Sequence, residues 1–283
     1  MKERLNAREL GELGTHIRRS IIETGHKAGA GHTGGSLSEA DILAALYFSF
    51  LDVDPERPDW EDRDRFVLSK GHASMGLYTT LAARGYFPES ELSTFDALGT
   101  RLQGHPDMHK CPGVDYSTGS LGQGLSIGIG MALGGEKLGK KFRTVVLLGD
   151  GECQEGQVWE AAMFAGSTRV RRLIAIVDYN RVQLSSRTED GVDLEPLVDK
   201  WKAFGWSVVS ANGHDPADLL RALAVADDAS RLGPVAVVAA TVKGKGVSFM
   251  EGKYEWHGKA PNDAECEAAL RELGDGEGSD ASR

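Results

Sequence analysis

The sequence predicts an α/β fold: a mostly parallel sheet with helices on both faces. Three observations carry the prediction. Apolar β-like runs at 144–149, 173–178, 206–211 and 234–242 alternate with helical segments near 156–168, 194–204 and 215–227. Two of those runs lead straight to side chains with ligating oxygens, Asp150 and Asn180. Thirty residues separate this pair, room for one helix, so the two mark a βαβ unit and meet at the carboxyl ends of neighbouring strands.

The remaining elements follow in chain order. Leu5, Leu10, Leu13, Ile17 and Ile21 keep a roughly helical period over residues 5–25. A glycine-rich loop at 29–35 breaks it. A second, largely apolar helix is expected over 38–51, capped by Ser36 or Ser38. Residues 52–64 read as a polar loop, Arg65–Ser69 as a short strand, and 72–84 as a helix. A long loop at 99–120 carries His105, and loops of that length in a domain are usually functional. Helix 121–135 places Gly124, Gly128 and Ala132 every four positions, which permits close approach of another backbone or a ligand. A single domain is expected over 1–262. A short helix at 263–273 and a small polar tail, expected to be disordered, complete the chain.

Composition narrows the function. With 283 residues, 41% of them hydrophobic and 26% charged, the chain has a globular profile and can bury a large core. A formal net charge of −10 argues against non-specific nucleic-acid binding. No apolar stretch reaches the ~20 residues of a membrane span, and the start lacks a secretory signal. Three widely spaced cysteines suit a reducing cytoplasm and give no zinc spacing.

The chemistry concentrates at Asp150 and Asn180. A carboxylate, an amide oxygen and a backbone carbonyl can hold a hard cation, Mg2+ or Ca2+, and leave open positions for phosphate oxygens. Taken alone, the pair could equally be a helix cap and a turn residue. The glycines from Gly119 to Gly130 do not fit a dinucleotide fingerprint, because a strand follows them instead of preceding them. No Gly-Lys-Ser/Thr marks a nucleotide P-loop.

Six motifs in order settle the comparison. Gly149–Gly156 through Asp178–Val182 resembles the thiamine-diphosphate motif of transketolases. Ala30–Ser36, Leu68–Ala73 and Gln103–Pro106 resemble that family's three histidine loops, with Thr33 where proline is common. Ser117–Gly124 resembles its glycine-rich cofactor loop, with Ser120 where many members have proline, and Trp256–Gly258 resembles its last histidine motif.

The resemblance implies a three-layer thiamine-diphosphate-binding fold of the diphosphate-holding kind, and two-carbon ketol transfer from a ketose phosphate to an aldose phosphate. It implies metal ligation by Asp150, Asn180 and the Val182 carbonyl. It implies cofactor contacts from His72, Gly119, Ser120, Leu121, Gly151, Glu152, Asn180, Lys243 and His257. His32 and His257 would contact the donor sugar and His105 the hydroxyls of the two-carbon fragment, so His32, His72, His105 and His257 form the expected catalytic set. Imidazole suits such proton traffic near neutral pH. His16, His26 and His214 read as ordinary polar residues, and His109 stays open. Lys243 and Lys245 are either a solvated basic turn or support for the site. Glu155 and Glu160 are either a solvated helix face or acids at a subunit interface.

Full-length transketolases carry further domains, and this sequence ends at Arg283. The expectation is therefore the amino-terminal subunit of a split transketolase, inactive alone and completed by a C-terminal subunit in an α2β2 heterotetramer. Three alternatives stay open: another thiamine-diphosphate enzyme, such as a deoxyxylulose-phosphate-synthase-like one; a transketolase for an unusual sugar; and a non-catalytic partner that has kept the fold.

Overall fold

A computed structural model describes residues 4–274. Its elements are α1 (Ala7–Ala28), α2 (Thr33–Ala45), β1 (Arg65–Leu68), α3 (Ser74–Arg84), α4 (Gln123–Lys137), β2 (Thr144–Gly149), α5 (Gly156–Thr168), β3 (Leu173–Tyr179), α6 (Leu197–Ala203), β4 (Ser207–Asn212), α7 (Pro216–Ser230), β5 (Val235–Ala240) and α8 (Asp263–Glu272). The five strands form one sheet in the order β1-β2-β3-β5-β4, and every pair is parallel.

Strand periodicity sorts the core into two layers. Val145, Leu147, Ile174, Ile176, Val235 and Val237 pack with α1, α2, α3 and α7. Their neighbours Val146, Leu148, Ala175, Val177, Ala236 and Val238 pack with α4, α5 and α6 on the other face. Successive side chains of a strand point to opposite faces, so an unbroken apolar run signals a strand buried on both sides.

Local chemistry sets the ends. Asn6 and Glu9 form a reciprocal capping box on α1, and Gly29 closes that helix at φ 62°, where a side chain would be strained. Gly128 and Gly124 explain the small-residue stripe of α4. A Cβ at Gly128 would stand 2.4 Å from Val146 Cγ2, and one at Gly124 would stand 2.3 Å from Ser69 Oγ. The stripe lets α4 lie directly on the sheet beside β1 and β2.

Three boundaries differ from the sequence reading. Helix α2 starts at Thr33, inside the expected glycine loop, and neither Ser36 nor Ser38 caps it. Instead Ser36 Oγ donates to the His32 carbonyl, a bond that hydroxyls make within helices, while the one Ser38 hydroxyl proton turns to the Asp178 carboxylate at 2.6 Å, with the Gly35 carbonyl 2.9 Å away. Gly34 belongs in that first turn because a Cβ there would meet the Trp256 carbonyl at 2.8 Å. Beyond Ala45 the helix widens into a π turn over Leu46–Phe50. Helix α6 begins only at Leu197, directly after Pro196. The expected tail beyond residue 274 lies outside the described residues. Among the described residues no helix is long and apolar enough to cross a membrane.

Candidate active site

The carboxyl ends of β2, β3 and β5 surround a cavity of about 280 Å3. Asp150, Asn180, Val182, Lys243, His72 and His257 all line it. A larger groove of about 740 Å3 opens on residues that precede β1, β2 and β3, among ion pairs such as Arg143–Asp64, and gathers none of the motif residues. We therefore place the candidate site in the smaller cavity.

Asp150 is 2% exposed. Its carboxylate accepts the Gly151 amide at 2.7 Å and the Arg181 amide, and among the described residues it forms no ion pair, although the Lys243 charge lies near. Burial, and then the nearby charge of Asp178, pushes its carboxyl up to about 7. Asn180 Oδ1 accepts the Val182 amide at 3.0 Å, and its Nδ2 donates to Asp178 Oδ2 at 3.2 Å. That orientation leaves Oδ1 a second lone pair. The Val182 carbonyl accepts Lys243 Nζ at 3.2 Å. One carboxylate, one amide oxygen and one main-chain carbonyl thus line a single cavity, a donor set suited to a hard divalent cation. A buried carboxylate without an ion-pair partner fits such a cation. Among the described residues no three His, Cys, Asp or Glu side chains gather into a metal site. The candidate set draws only one member from those types.

Two lysines bring positive charge to the same cavity. Burial, and then Lys70, lowers Lys243 to about 8. Lys70 was not singled out in the sequence. Its ammonium lies 2.5 Å from Asp178 Oδ2 and 2.9 Å from Glu39 Oε2, and all three groups are buried. Burial disfavours that ammonium, but the two carboxylates outweigh it and hold Lys70 above the ordinary range. One lysine cannot serve two acids equally. Asp178, which also accepts Ser38 Oγ at 2.6 Å, is held below its usual value. Glu39 is pushed up to about 8, first by its burial. The motif order around Lys70-Gly71-His72 and the Asp178-Tyr179-Asn180 spacing were visible in sequence, but burial against α2 was not.

Glu152, expected to touch cofactor, lines the same cavity while 3% exposed, with its carboxylate bonded to backbone. Its Oε1 accepts the Gly122 amide at 2.9 Å and its Oε2 the Gly149 amide at 3.0 Å. It ties the glycine-rich loop to the end of β2. Gly151 and Leu121 line the cavity; Gly119 stands beside His105, where a Cβ would approach the ring to 3.0 Å.

Three histidines converge. The rings of His32, His72 and His257 lie 5.0–5.4 Å apart, centroid to centroid. Burial, and then the Lys70 charge, lowers His72 to about 2. Burial, and then Lys243, lowers His257 to about 3, and burial also lowers His32. At neutral pH His72 and His257 are uncharged imidazoles, and the shift of His32 runs the same way. His257 Nδ1 takes a bond from Lys243 Nζ at 2.8 Å, which leaves the ring proton on Nε2. His105 is exposed, with its carbonyl accepting Tyr78 Oη at 3.3 Å.

Comparison with known proteins identifies the family. Residues 12–278 match the family described as transketolase, thiamine diphosphate binding domain. This chain belongs to the transketolase family. It is 46% identical over 257 residues to a 6-deoxy-6-sulfo-D-fructose transketolase subunit of Clostridium sp., with 91% of this chain and 93% of that one covered. It is 42% identical to one of the apulose-4-phosphate transketolase subunits of Phocaeicola vulgatus, covering 90% of each. The crystal structure of Campylobacter jejuni transketolase superposes with a TM-score of 0.89 at 30% identity; 95% of this chain spans only 43% of that one. The chain is thus a transketolase of subunit size, carrying the thiamine-diphosphate-binding fold.

Proposed function

We propose that this chain is the diphosphate-holding subunit of a two-chain transketolase, with residues 1–262 as its single cofactor-binding domain. The observation that carries the reading is the meeting of Asp150, Asn180, the Val182 carbonyl and Lys243 around one cavity. Asp150, Asn180 and Val182 would hold Mg2+ or Ca2+, and the ion with Lys243 and Lys70 would hold the diphosphate of thiamine diphosphate. When bound, the cofactor supplies the nucleophilic carbon and the electron sink of two-carbon ketol transfer. The chain supplies neutral imidazoles. His257 offers its Nε2 proton, His32 and His72 stand beside it, and His105 waits at the exposed loop for the sugar hydroxyls.

A C-terminal subunit would complete the site in a cytoplasmic α2β2 heterotetramer. The test is ketol transfer from xylulose 5-phosphate to ribose 5-phosphate, with thiamine diphosphate and magnesium. The chain is assayed alone and co-expressed with the complementary subunit. We expect activity only in the pair, and substantial turnover by the single chain would defeat the two-chain claim. The names of the two relatives favour a second reading, a specialised sugar donor. A complex that binds cofactor but ignores xylulose 5-phosphate would then be assayed with other ketoses bearing an anionic end, sulfonate or phosphate.

A further inference from the structure

A histidine outside every motif is wired to the cavity. His214 lies in the turn between β4 and α7, and its side chain is only 11% exposed. Its Nε2 accepts the Val242 amide at 2.8 Å. An amide can only donate, so Nε2 carries the lone pair and Nδ1 the proton. That proton faces Asp41 Oδ2 at 2.8 Å. Asp41, on α2, is paired with Arg18 of α1 through both guanidinium nitrogens. Arg18 Nη2 also sits 3.5 Å from Nδ1, but two donors face each other there, so this is a contact and no bond.

The chain is pinned where it leaves β5. The Thr241 amide bonds the Tyr179 carbonyl at 3.1 Å, Val242 bonds His214, and the Gly244 amide bonds the Gly34 carbonyl at 2.9 Å. Gly213 lets the turn press in, because a Cβ there would meet Thr241 Cγ2 at 2.4 Å. Lys243 lies between the second and third of these anchors. Its ammonium must span from this backbone to the Val182 carbonyl and His257.

We propose that His214 is a positioning residue for Lys243: the Arg18–Asp41–His214 chain fixes the Val242 amide, and through it the place of the Lys243 ammonium in the cavity. The inference rests on the proposed diphosphate role of that cavity. Leucine at 214 removes the acceptor and leaves the half-buried Val242 amide without that partner. Glutamine keeps an acceptor oxygen.

The test uses the full chain with two readouts. The first is amide exchange over residues 241–250 by mass spectrometry. The second is calorimetric affinity for inorganic diphosphate with magnesium. H214L is expected to speed exchange there and weaken diphosphate binding, each by about tenfold or more, with H214Q restoring most of both. In a Lys243→Ala background H214L should change affinity by less than about twofold, since the interaction it supports is already gone. Equal losses in both backgrounds, or unchanged exchange in H214L, would overturn the proposal. Should H214L fail to fold, H214Q against H214N, whose shorter amide does not reach Val242, carries the same comparison. If the wild-type chain binds no diphosphate, the cavity's assigned role fails. The exchange readout still tests the positioning.

Discussion

Asp150 is the residue on which the proposed cation site turns. Replacing it with alanine would leave one amide oxygen and one carbonyl for the ion. Magnesium-dependent diphosphate affinity should fall by about 100-fold, the upper end of losses seen for partners of metal ligands. Titration calorimetry on the folded variant measures it, and undiminished binding would move the ion elsewhere. The histidines give a second prediction. His72 and His257 are lowered to about 2 and about 3, so both stay neutral in the fold while the unfolded chain takes up protons near 6.5. Their contribution to stability is therefore present above pH ~6.5 and lost as pH falls towards their folded values. Glu39, raised to about 8, works in the opposite direction, so denaturation midpoints would mix the two trends. Imidazole resonances separate them: between pH 8 and 5 those of His72 and His257 should show only the small shifts that Lys243 and Asp150 impose as they titrate, and no move to imidazolium positions. At this scale the sequence disclosed Asp150 and Asn180 at strand ends and the four motif histidines beside glycines. It did not disclose Lys70, Asp178, Glu39 or His214, because their roles arise from burial against partners on distant elements.

Elements were legible wherever one period dominated. The strands at 144–149 and 173–179 stood out because both faces are buried and the apolar run is unbroken. The start of α2 was not legible, since two glycines in a first helical turn read as a loop until the Trp256 carbonyl is placed against them. The glycine stripe of α4 was seen, but its partner was ambiguous. The sheet fills that role, which gives a prediction for G128V. The added side chain must displace Val146 on β2 or move the helix, at a cost of about 1–3 kcal/mol. Urea unfolding of G128V against wild type measures it. Junctions between helices make a sharper case. Asp41 joins α1, α2 and the turn before α7 while 6% exposed. Burial opposes its ionisation, yet His214 and Arg18 together hold its carboxyl below the usual range. Its stability contribution is present above the unfolded value near 3.9 and disappears as pH falls through the lower folded one. Asp41→Asn leaves the Arg18 charge buried and uncompensated, and should destabilise the fold by about 3–5 kcal/mol at neutral pH. A loss under 1 kcal/mol would show that water replaces the carboxylate there.

For the whole molecule, what matters is the face that an additional chain would cover. Helix α5 starts beside the cavity, where Gln154 and Glu155 join the lining, and carries Met163 and Phe164 outward at 56% and 49% exposure. Two adjacent large apolar side chains on a helix that begins at the site are poorly explained by solvent contact. A complementary subunit seated on that face would bury them and reach the cavity mouth. The relatives named as transketolase subunits are covered over 90% or more of their length, in keeping with the proposed two-chain enzyme. Phe164→Glu should therefore weaken assembly with the proposed partner subunit by ~2 kcal/mol or more, as loss of a central aromatic anchor does. The same change should leave the isolated chain's stability within about 0.5 kcal/mol, because the position is exposed there. Sedimentation of the mixed chains reads the first quantity and thermal unfolding of the single chain the second. Assembly as tight as wild type would place the partner on another face, and destabilisation of the single chain would mean that Phe164 already packs within it. Weakened assembly with an intact chain ties the subunit contact to the helix that borders the cofactor cavity, so that docking and completion of the site become one event.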